Sequence, residues 1–586
     1  MAYLRNFPRI KIFGLITLCL NSVSIILALI YLLLQKSAFA WNFVGVFFLI
    51  NLLSTMVFSV CLAYHTQRKL KLGYHLNLWC YGYLLFVIGA VFIVFLAIFI
   101  GFNDSLFENL GLGLLLYGSN FGLLLFGIKL SLFSILPKYQ RAISTTAFNP
   151  QLAWTLGMKS LKKLWILKKG CIIMCLFGLI FGGIVVFTLF FGIHGGFQIF
   201  MLGVFAGQAG LFFGIVFLST SLILLRTTYS YSKIKIPSRI IGLIGILISG
   251  ICFLPLLSTP QFAINAENSF SERFDPVFSG DWNAKILNSG HDAYFLQTPF
   301  SLAGYFLGSP NYDCIVNRDV LYLDGDTSNY SVDAGVQLYF DAYLPTEPAN
   351  NLPGNYSTLI RIHGGGWTIG DKGLGNVITM NRYFAAQGYC VFDIQYGLNN
   401  GPENMGIPFI TPSNVLGNFS LDDMMRHIGA FTFFLEDHQE EYGANLDSVF
   451  ISGGSAGGQL ASATALSMQN GSYGETFSDA FTIKGLIPYY PANNVTMDFA
   501  RESRPEWKNP ELLVSEQSPP CLIFQGEQDH LIYRAKSFEN TYLDHNNREI
   551  SVLLFPFAGH ANDLYFPGYY NQVFLYYMER FMYLYR

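Results

Sequence analysis

Acidic residues are nearly missing from the first 258 positions, where Asp104 and Glu108 are the only two, against 19 Lys and Arg. A water-soluble domain of that length carries charges of both signs over its surface, so this half does not read as one. Acidic and basic side chains are scarce inside its apolar runs as well, with Lys129 the only one. Pumps and proton-coupled transporters place titratable groups within their spans, so ion-driven transport is not expected. Cysteines number nine, an odd count with no C-x-x-C pair and no His/Cys ligand spacing. That pattern excludes a disulfide framework and a structural metal. Cys390 and Cys521 lie in apolar runs and are expected to be small buried hydrophobes.

What is present is apolar: 52% of the chain is hydrophobic. Seven stretches are long enough to span a bilayer as helices, namely Ile12–Leu34, Phe43–Tyr64, Leu78–Phe102, Leu112–Leu136, Cys171–Ile193, Phe197–Leu225 and Ile240–Leu257. The segments outside them alternate in charge, with 3, 3, 7 and 4 basic residues on one side against 1, 0 and 0 on the other. The positive-inside rule puts the N-terminus in the cytoplasm. Seven crossings then place everything after Leu257 outside. Residues 1–258 carry a formal charge of +17 and the remainder −20, so the halves face different solvents. A basic half can indicate nucleic acid, but these basic residues lie between apolar runs. The expected partner is the lipid bilayer, with no nucleic acid, and no protein partner can be named.

After the last run, residues 259–318 are polar and irregular, and read as a juxtamembrane linker or small cap. From 319 to 586 a regular alternation follows. Strands are expected at Val320–Leu323, Val336–Leu344, Ser357–Ile362, Cys390–Tyr396, Ser448–Ser452, Ile483–Tyr489, Cys521–Gln525 and Ser551–Phe555. Helix-length segments lie between them, near Asn376–Gln387, Leu421–Tyr442, Gly457–Gln469, Tyr533–His545 and Tyr569–Tyr583. The later strands are short continuous apolar runs, as parallel strands covered on both faces require. The expected fold is an all-α transmembrane bundle of about seven helices, followed by an α/β domain with a mostly parallel eight-stranded sheet flanked by helices. Phe574, Tyr577 and Phe581 have helical spacing and suit a terminal helix packed on that sheet better than a membrane-binding face.

Two glycine-rich strings fall at expected strand ends, where α/β sheets bind ligands. Gly453-Gly454-Ser455-Ala456-Gly457 contains G-x-S-x-G, the turn that lifts a nucleophilic serine above a strand. His363-Gly364-Gly365-Gly366-Trp367 is the loop type that supplies N–H groups to an oxyanion. Gly365, Gly366 and Ala456, the residue after the serine, are the expected donors. Serine needs a base, and His560, on a loop beyond the last strand, has the right setting. Asp529 follows the preceding strand and is expected to orient that imidazole, with Glu527 as its rival; His530 lies close to this acid. His363 reads as architectural. Trp367 either packs the loop or stacks a ligand. Asp371 and Lys372 either orient a polar substrate or form a salt-bridged start to the next helix. Gly397–Phe419 is either a lid or a surface loop.

From about Val336 to the C-terminus the chain resembles the α/β-hydrolase superfamily, and within it the hormone-sensitive-lipase-like esterases and the related acetyl- and feruloyl-esterases. The resemblance rests on Ile362–Lys372 (IHGGGWTIGDK), Ser452–Gly458 (SGGSAGG), Gln525–Asp529 (QGEQD) and Ala558–His560 (AGH). It implies a Ser455/Asp529/His560 triad, no cofactor, no metal, and hydrolysis of carboxylic esters through an acyl-enzyme. The chain departs from many members in having Gly454 where they carry an acidic residue, and in a short interval from Ser455 to Asp529. The reading that follows is a membrane-anchored serine esterase facing away from the cytoplasm, whose substrate is an ester such as an acetylated glycan or a lipid. The alternative is a seven-span receptor or assembly protein whose hydrolase-like domain binds a ligand without turnover.

Overall fold

A computed structural model describes residues 9–34, 40–66, 71–100, 110–140, 143, 158–192, 197–228, 235–310, 312–373, 377–401 and 411–586. Many of the loop charges used for orientation, and 402–410 of the candidate lid, lie outside these residues. The N-terminal half is helical: α1 (Arg9–Leu34), α2 (Ala40–His65), α3 (Lys71–Ile100), α4 (Leu110–Ile135), α5 (Met158–Phe191), α6 (Phe197–Gln208), α7 (Gly210–Thr228) and α8 (Lys235–Cys252). Six of these, α1 to α5 and α7, contain stretches long and apolar enough to cross a membrane, and α8 holds a shorter apolar helix. Polar side chains inside the bundle bond between helices, as they must where no water competes. Asn51 Nδ2 donates to Ser24 Oγ and Asn21 Nδ2 to Thr55 Oγ1, each at 3.1 Å, joining α1 to α2. Lys129 on α4 rests its ammonium 3.4 Å from the centre of the Trp79 ring on α3.

The run expected as one span, Phe197–Leu225, is two helices with a turn at Ala209. Two carbonyls explain the break. That of Gly207 accepts from the Tyr569 hydroxyl, and that of Gln208 from the Tyr305 hydroxyl at 2.8 Å. Both acceptors are thereby engaged from outside the helix at the point where its ladder is interrupted.

Residues 259–318, expected to be irregular, form α9 (Thr259–Phe274), α10 (Trp282–Leu287) and α11 (Leu302–Leu307). Phe262, Phe270 and Phe274 recur near helical spacing and are buried, which stabilises α9 despite its many polar residues. α11 lies so close to α2 that a Cβ on Gly45 would stand 2.4 Å from the Ala303 nitrogen. Asn120 Nδ2 of α4 donates to the Phe306 carbonyl at 2.9 Å, closing the same contact from a second helix.

The sheet begins at Ile315, before the expected boundary at 319. Its strands are β1 (Ile315–Asp324), β2 (Gln337–Leu344), β3 (Ser357–Ile362), β4 (Cys390–Ile394), β5 (Asn445–Gly454), β6 (Ile483–Tyr489), β7 (Cys521–Gly526) and β8 (Ile550–Phe555). Their spatial order is β1-β2-β4-β3-β5-β6-β7-β8. β2 is antiparallel to both β1 and β4, and all later neighbours are parallel. One face is covered by α12 (Val377–Ala386) and the C-terminal α16 (Tyr569–Tyr585). The other is covered by α13 (Leu421–Asp437), α14 (Ala456–Asn470) and α15 (Ile532–Asp544). Phe574, Tyr577 and Phe581 of α16 are buried between the sheet and α9. On that face a single buried apolar cluster runs from the helical bundle through α9 and α11 to the sheet. The two halves share a core.

Candidate active site

Ser455 stands between β5 and α14 with φ 56° and ψ −117°, a conformation that costs a β-carbon-bearing residue about 1–3 kcal/mol. Its neighbours make the turn possible. A Cβ on Gly453 would lie 2.3 Å from the Gly457 carbonyl oxygen, and one on Gly457 would lie 2.2 Å from that of Ile362. The end of β3 therefore passes too close for any side chain at either position. Gly454 is less constrained: its Cβ would stand 3.1 Å from the Tyr490 hydroxyl, so a side chain there requires that hydroxyl to give by a few tenths of an ångström.

His560 follows β8, and Asp529 follows β7. Fold closure brings them to the serine: His560 Nε2 is 2.9 Å from Ser455 Oγ, and His560 Nδ1 is 2.9 Å from Asp529 Oδ2. Asp529 is buried, and its Oδ1 accepts from the Leu531 N–H at 2.9 Å and lies 3.2 Å from His530 Nδ1. Burial by itself raises this carboxyl. The adjacent His560 and the hydrogen bonds from His530, His560 and Leu531 outweigh it and hold the group well below the usual carboxylate range. Glu527, the rival acid, is exposed. Asp529, His530 and His560 present ligand atoms within 4.8 Å of one another. Both histidines already bond this carboxylate through Nδ1, which suits a proton-sharing cluster better than a metal centre.

The glycine loop faces the serine, since a Cβ on Gly364 would lie 3.4 Å from Ser455 Cβ. It is a tight turn in which the Gly365 carbonyl accepts from the N–H groups of Thr368 at 3.2 Å and Ile369 at 3.1 Å. Gly365, Gly366 and Trp367 have φ of 119°, 60° and 60°. Among the described residues the N–H groups of Gly365 and Gly366 have no acceptor. Ala456 opens α14, so its N–H is one of the four that a helix leaves without an internal partner. The flanking residues hold the loop. His363 stacks on Tyr396 with ring centres 4.5 Å apart, and burial lowers its imidazole pKa. Trp367 Nε1 donates to Gln459 Oε1 of α14 at 3.0 Å.

Lys372 turns away from the serine: its Nζ is 2.6 Å from the carboxylates of Asp319 and Asp341 at the sheet edge. Asp371 accepts from Gln395 Nε2 at 2.6 Å. Both side chains fasten the loop to the sheet. Beneath them, Asp393 of β4 is buried and accepts from the Gly373 N–H at 2.8 Å. Burial, with the Asp341 charge added, pushes its carboxyl up to about 7. The folded state thus keeps a proton that an unfolded chain releases near pH 4. The resulting stability is full below about pH 4 and lost as pH rises through about 7. Asp393→Asn is expected to flatten the fall in melting temperature across that window. An unchanged slope in differential scanning calorimetry would contradict this assignment.

Several contacts around the site escape a reading of motifs. Tyr490, just past β6, donates to Asp563 at 2.7 Å and sets its ring 4.6 Å from that of His560. Its place at a strand end was the available signal. Asn562 Nδ2 lies within bonding distance of three carbonyls: His560 at 3.1 Å, and Gly203 and Val204 of α6 at 3.2 and 2.9 Å. Gln208 Oε1 accepts from the Tyr565 N–H at 2.7 Å. The loop that carries His560 is therefore seated on an apolar helix of the N-terminal half.

Residues 340–508 match the BD-FAE family model. Probable carboxylic ester hydrolase LipM of Mycobacterium tuberculosis is 25% identical over 241 residues, 37% of this chain and 52% of the relative. Esterase LipQ of the same organism is 28% identical over 231 residues, 35% of this chain and 50% of the relative. The chain spans about half the length of these curated relatives. Among solved structures, esterase B from Lactobacillus rhamnosis is 21% identical, with a TM-score of 0.33 over 44% of this chain and 80% of that one. Residues 340–508 thus resemble the BD-FAE family, and they lie within a mostly parallel eight-stranded α/β sheet that is joined to a bundle of apolar helices.

Proposed function

We propose that this protein is a membrane-anchored serine esterase that hydrolyses carboxylic esters through an acyl-enzyme. The observation that carries the reading is the unbroken line Ser455 Oγ, His560, Asp529, with 2.9 Å at each step. In this reading Ser455 Oγ attacks the ester carbonyl carbon while its proton passes to His560 Nε2. Asp529 accepts the Nδ1–H and stabilises the imidazolium as it forms. The N–H groups of Ala456, Gly365 and Gly366 receive the oxyanion. His560 then gives its proton to the leaving alkoxide, and water repeats the sequence on the acyl-serine. The relatives' names, carboxylic ester hydrolase and esterase, support the reaction class.

The loop-charge pattern supports a cytoplasmic N-terminus and an extracytoplasmic hydrolase. α6 and α7 serve as one bent crossing, and α8, at roughly 27 Å, as the seventh. We retain 1–258 as the membrane domain and move the start of the hydrolase domain from 319 to 315, with 259–314 as a helical clamp between them. The test uses the full-length chain, because the His560 loop rests on α6. Turnover of an aryl ester, with a trapped acyl group mapping to Ser455 by mass spectrometry, is the expected result. Absence of both would overturn the reading. A C-terminal tag cleaved by protease only from the cytosolic side would overturn the orientation.

The seat on α6 has its own consequence. A Cβ on Gly207 would lie 2.2 Å from Asn562 Oδ1 and 2.7 Å from the Phe557 carbonyl oxygen, so Gly207→Leu must displace the His560 loop. A shift of about 1 Å can cost about 10²-fold in rate, and a loss of that size in kcat is expected. Gly183→Leu is the control, since a Cβ there meets nothing within 4 Å. Equal rates for the two variants would show that the seat does not govern His560.

A further inference from the structure

Asp529 serves two imidazoles. His560 Nδ1 approaches its Oδ2 at 2.9 Å and His530 Nδ1 approaches its Oδ1 at 3.2 Å, with the two ring centres 5.5 Å apart. The carboxyl is held well below the usual carboxylate range, so it stays ionised in mild acid and can only accept. Each Nδ1 therefore carries a hydrogen, and each Nε2 is the nitrogen left to take up a proton. For His560 that nitrogen faces Ser455 Oγ. His530 takes no part in the transfer from Ser455, although it shares the same acid.

Solvation separates the two rings. The His530 side chain is 48% exposed and that of His560 10%. Burial disfavours the charged imidazolium, and the attracting carboxylate is common to both, so the first proton that the pair takes up settles on His530. A second proton, on His560, then meets a like charge. Two unit charges 5.5 Å apart, screened as in water, oppose each other by about half a pH unit. The remaining surroundings of His560 are largely neutral. α5 and α6 present Thr188, Gly203, Val204, Ala206 and Gly207, none of them ionisable. Past β6, Tyr490 presents a phenol that burial keeps protonated. Asp563, on the His560 loop, is raised by burial and accepts from that phenol, and the Arg361 charge of β3 acts on it in the opposite sense. On the side of His530, Glu527 is exposed, and Arg534 of α15 lies 4.7 Å from the centre of the Tyr533 ring.

We propose that His530 is a proton buffer for the candidate triad: in mild acid it takes the proton that would otherwise reach His560 Nε2, and so keeps that base able to accept from Ser455. In the serine-esterase reading, on which this rests, His530 is a positioning residue that acts through Asp529 and His560. The test is the pH dependence of kcat/KM for p-nitrophenyl acetate with the full-length protein, since the acid limb reports the base of the free enzyme. His530→Asn keeps an N–H near the place of Nδ1 but cannot take up a proton. Its rate at neutral pH is expected within about two-fold of wild type, with the midpoint of the acid limb raised by about half a pH unit, which is about a three-fold loss of rate below it. An acid limb that coincides with that of wild type overturns the proposal. So does a lower plateau with an unmoved midpoint, which would make His530 an orienting donor only. Nitrogen chemical shifts of the histidine rings in the full-length protein, assigned with His530→Asn, give a readout independent of turnover. The His530 ring is expected to gain its proton at higher pH than the His560 ring, and the reverse order overturns the proposal. That order without any Ser455-dependent turnover would instead overturn the serine reading.

Discussion

Replacing Ser455 by alanine in the full-length protein is expected to lower ester turnover by about 10⁴-fold or more. The magnitude follows from what the oxygen does: it is the only group on the turn placed 2.9 Å from a base, and no acyl-enzyme can form without it. The substitution should spare the fold. It removes one oxygen from a partly exposed side chain, leaves the Ser455 backbone bond to Tyr489 available at 2.9 Å, and keeps a β-carbon in the same left-handed turn. Melting temperature within a few degrees of wild type, together with lost turnover, is the expected pair of results. A well-folded variant that keeps wild-type rates would instead favour a domain that binds its ligand without this chemistry.

Asp529→Asn should cost nearly as much, about 10³- to 10⁴-fold in the acylation rate. The carboxylate accepts from His560 Nδ1 and so leaves Nε2 as the unprotonated nitrogen facing Ser455. An asparagine that turns its amide N–H₂ toward Nδ1 selects the opposite tautomer, with Nε2 protonated and unable to take the serine proton. Single-turnover acylation separates this effect from binding, and an acylation rate within three-fold of wild type would refute the role. Stability provides a second readout. Asp529 is held below the usual carboxylate range, so the stability it confers is present above about pH 4 and lost as pH falls through its folded value. The asparagine variant should show a shallower loss of melting temperature in acid than the wild type.

Glycine positions show how much of the site could be read before the coordinates. G-x-S-x-G and the His-Gly-Gly-Gly loop are legible because their constraints are local, each glycine answering to backbone a few residues away or on the adjacent strand. The strands are legible for the same reason: alternating apolar residues in the first two and short, mostly apolar runs between turn signals in the later ones. In the sequence Asp529 is preferred to Glu527 only because it lies farther from the strand end; the direction of the turn after β7 buries the first and exposes the second. The helices of 259–310 were hidden by composition. Their buried aromatics are diluted by Asn, Ser and Glu, and their partners on α2 and α16 lie hundreds of positions away.

The sequence by itself determined the two solvents, the run of apolar helices, the α/β alternation and the residues of the candidate serine-hydrolase set, because hydropathy, period and tight turns are properties of neighbouring residues. The tertiary structure decided that the two halves share one core, that the span at 197–225 breaks at Ala209, and that the His560 loop sits on α6. Those outcomes depend on bonds such as Asn562 to Val204, across 358 positions, and Tyr565 to Gln208, across 357. Such partners are brought together only when the sheet, the clamp helices and the bundle bury a common apolar surface, and no local pattern records that event.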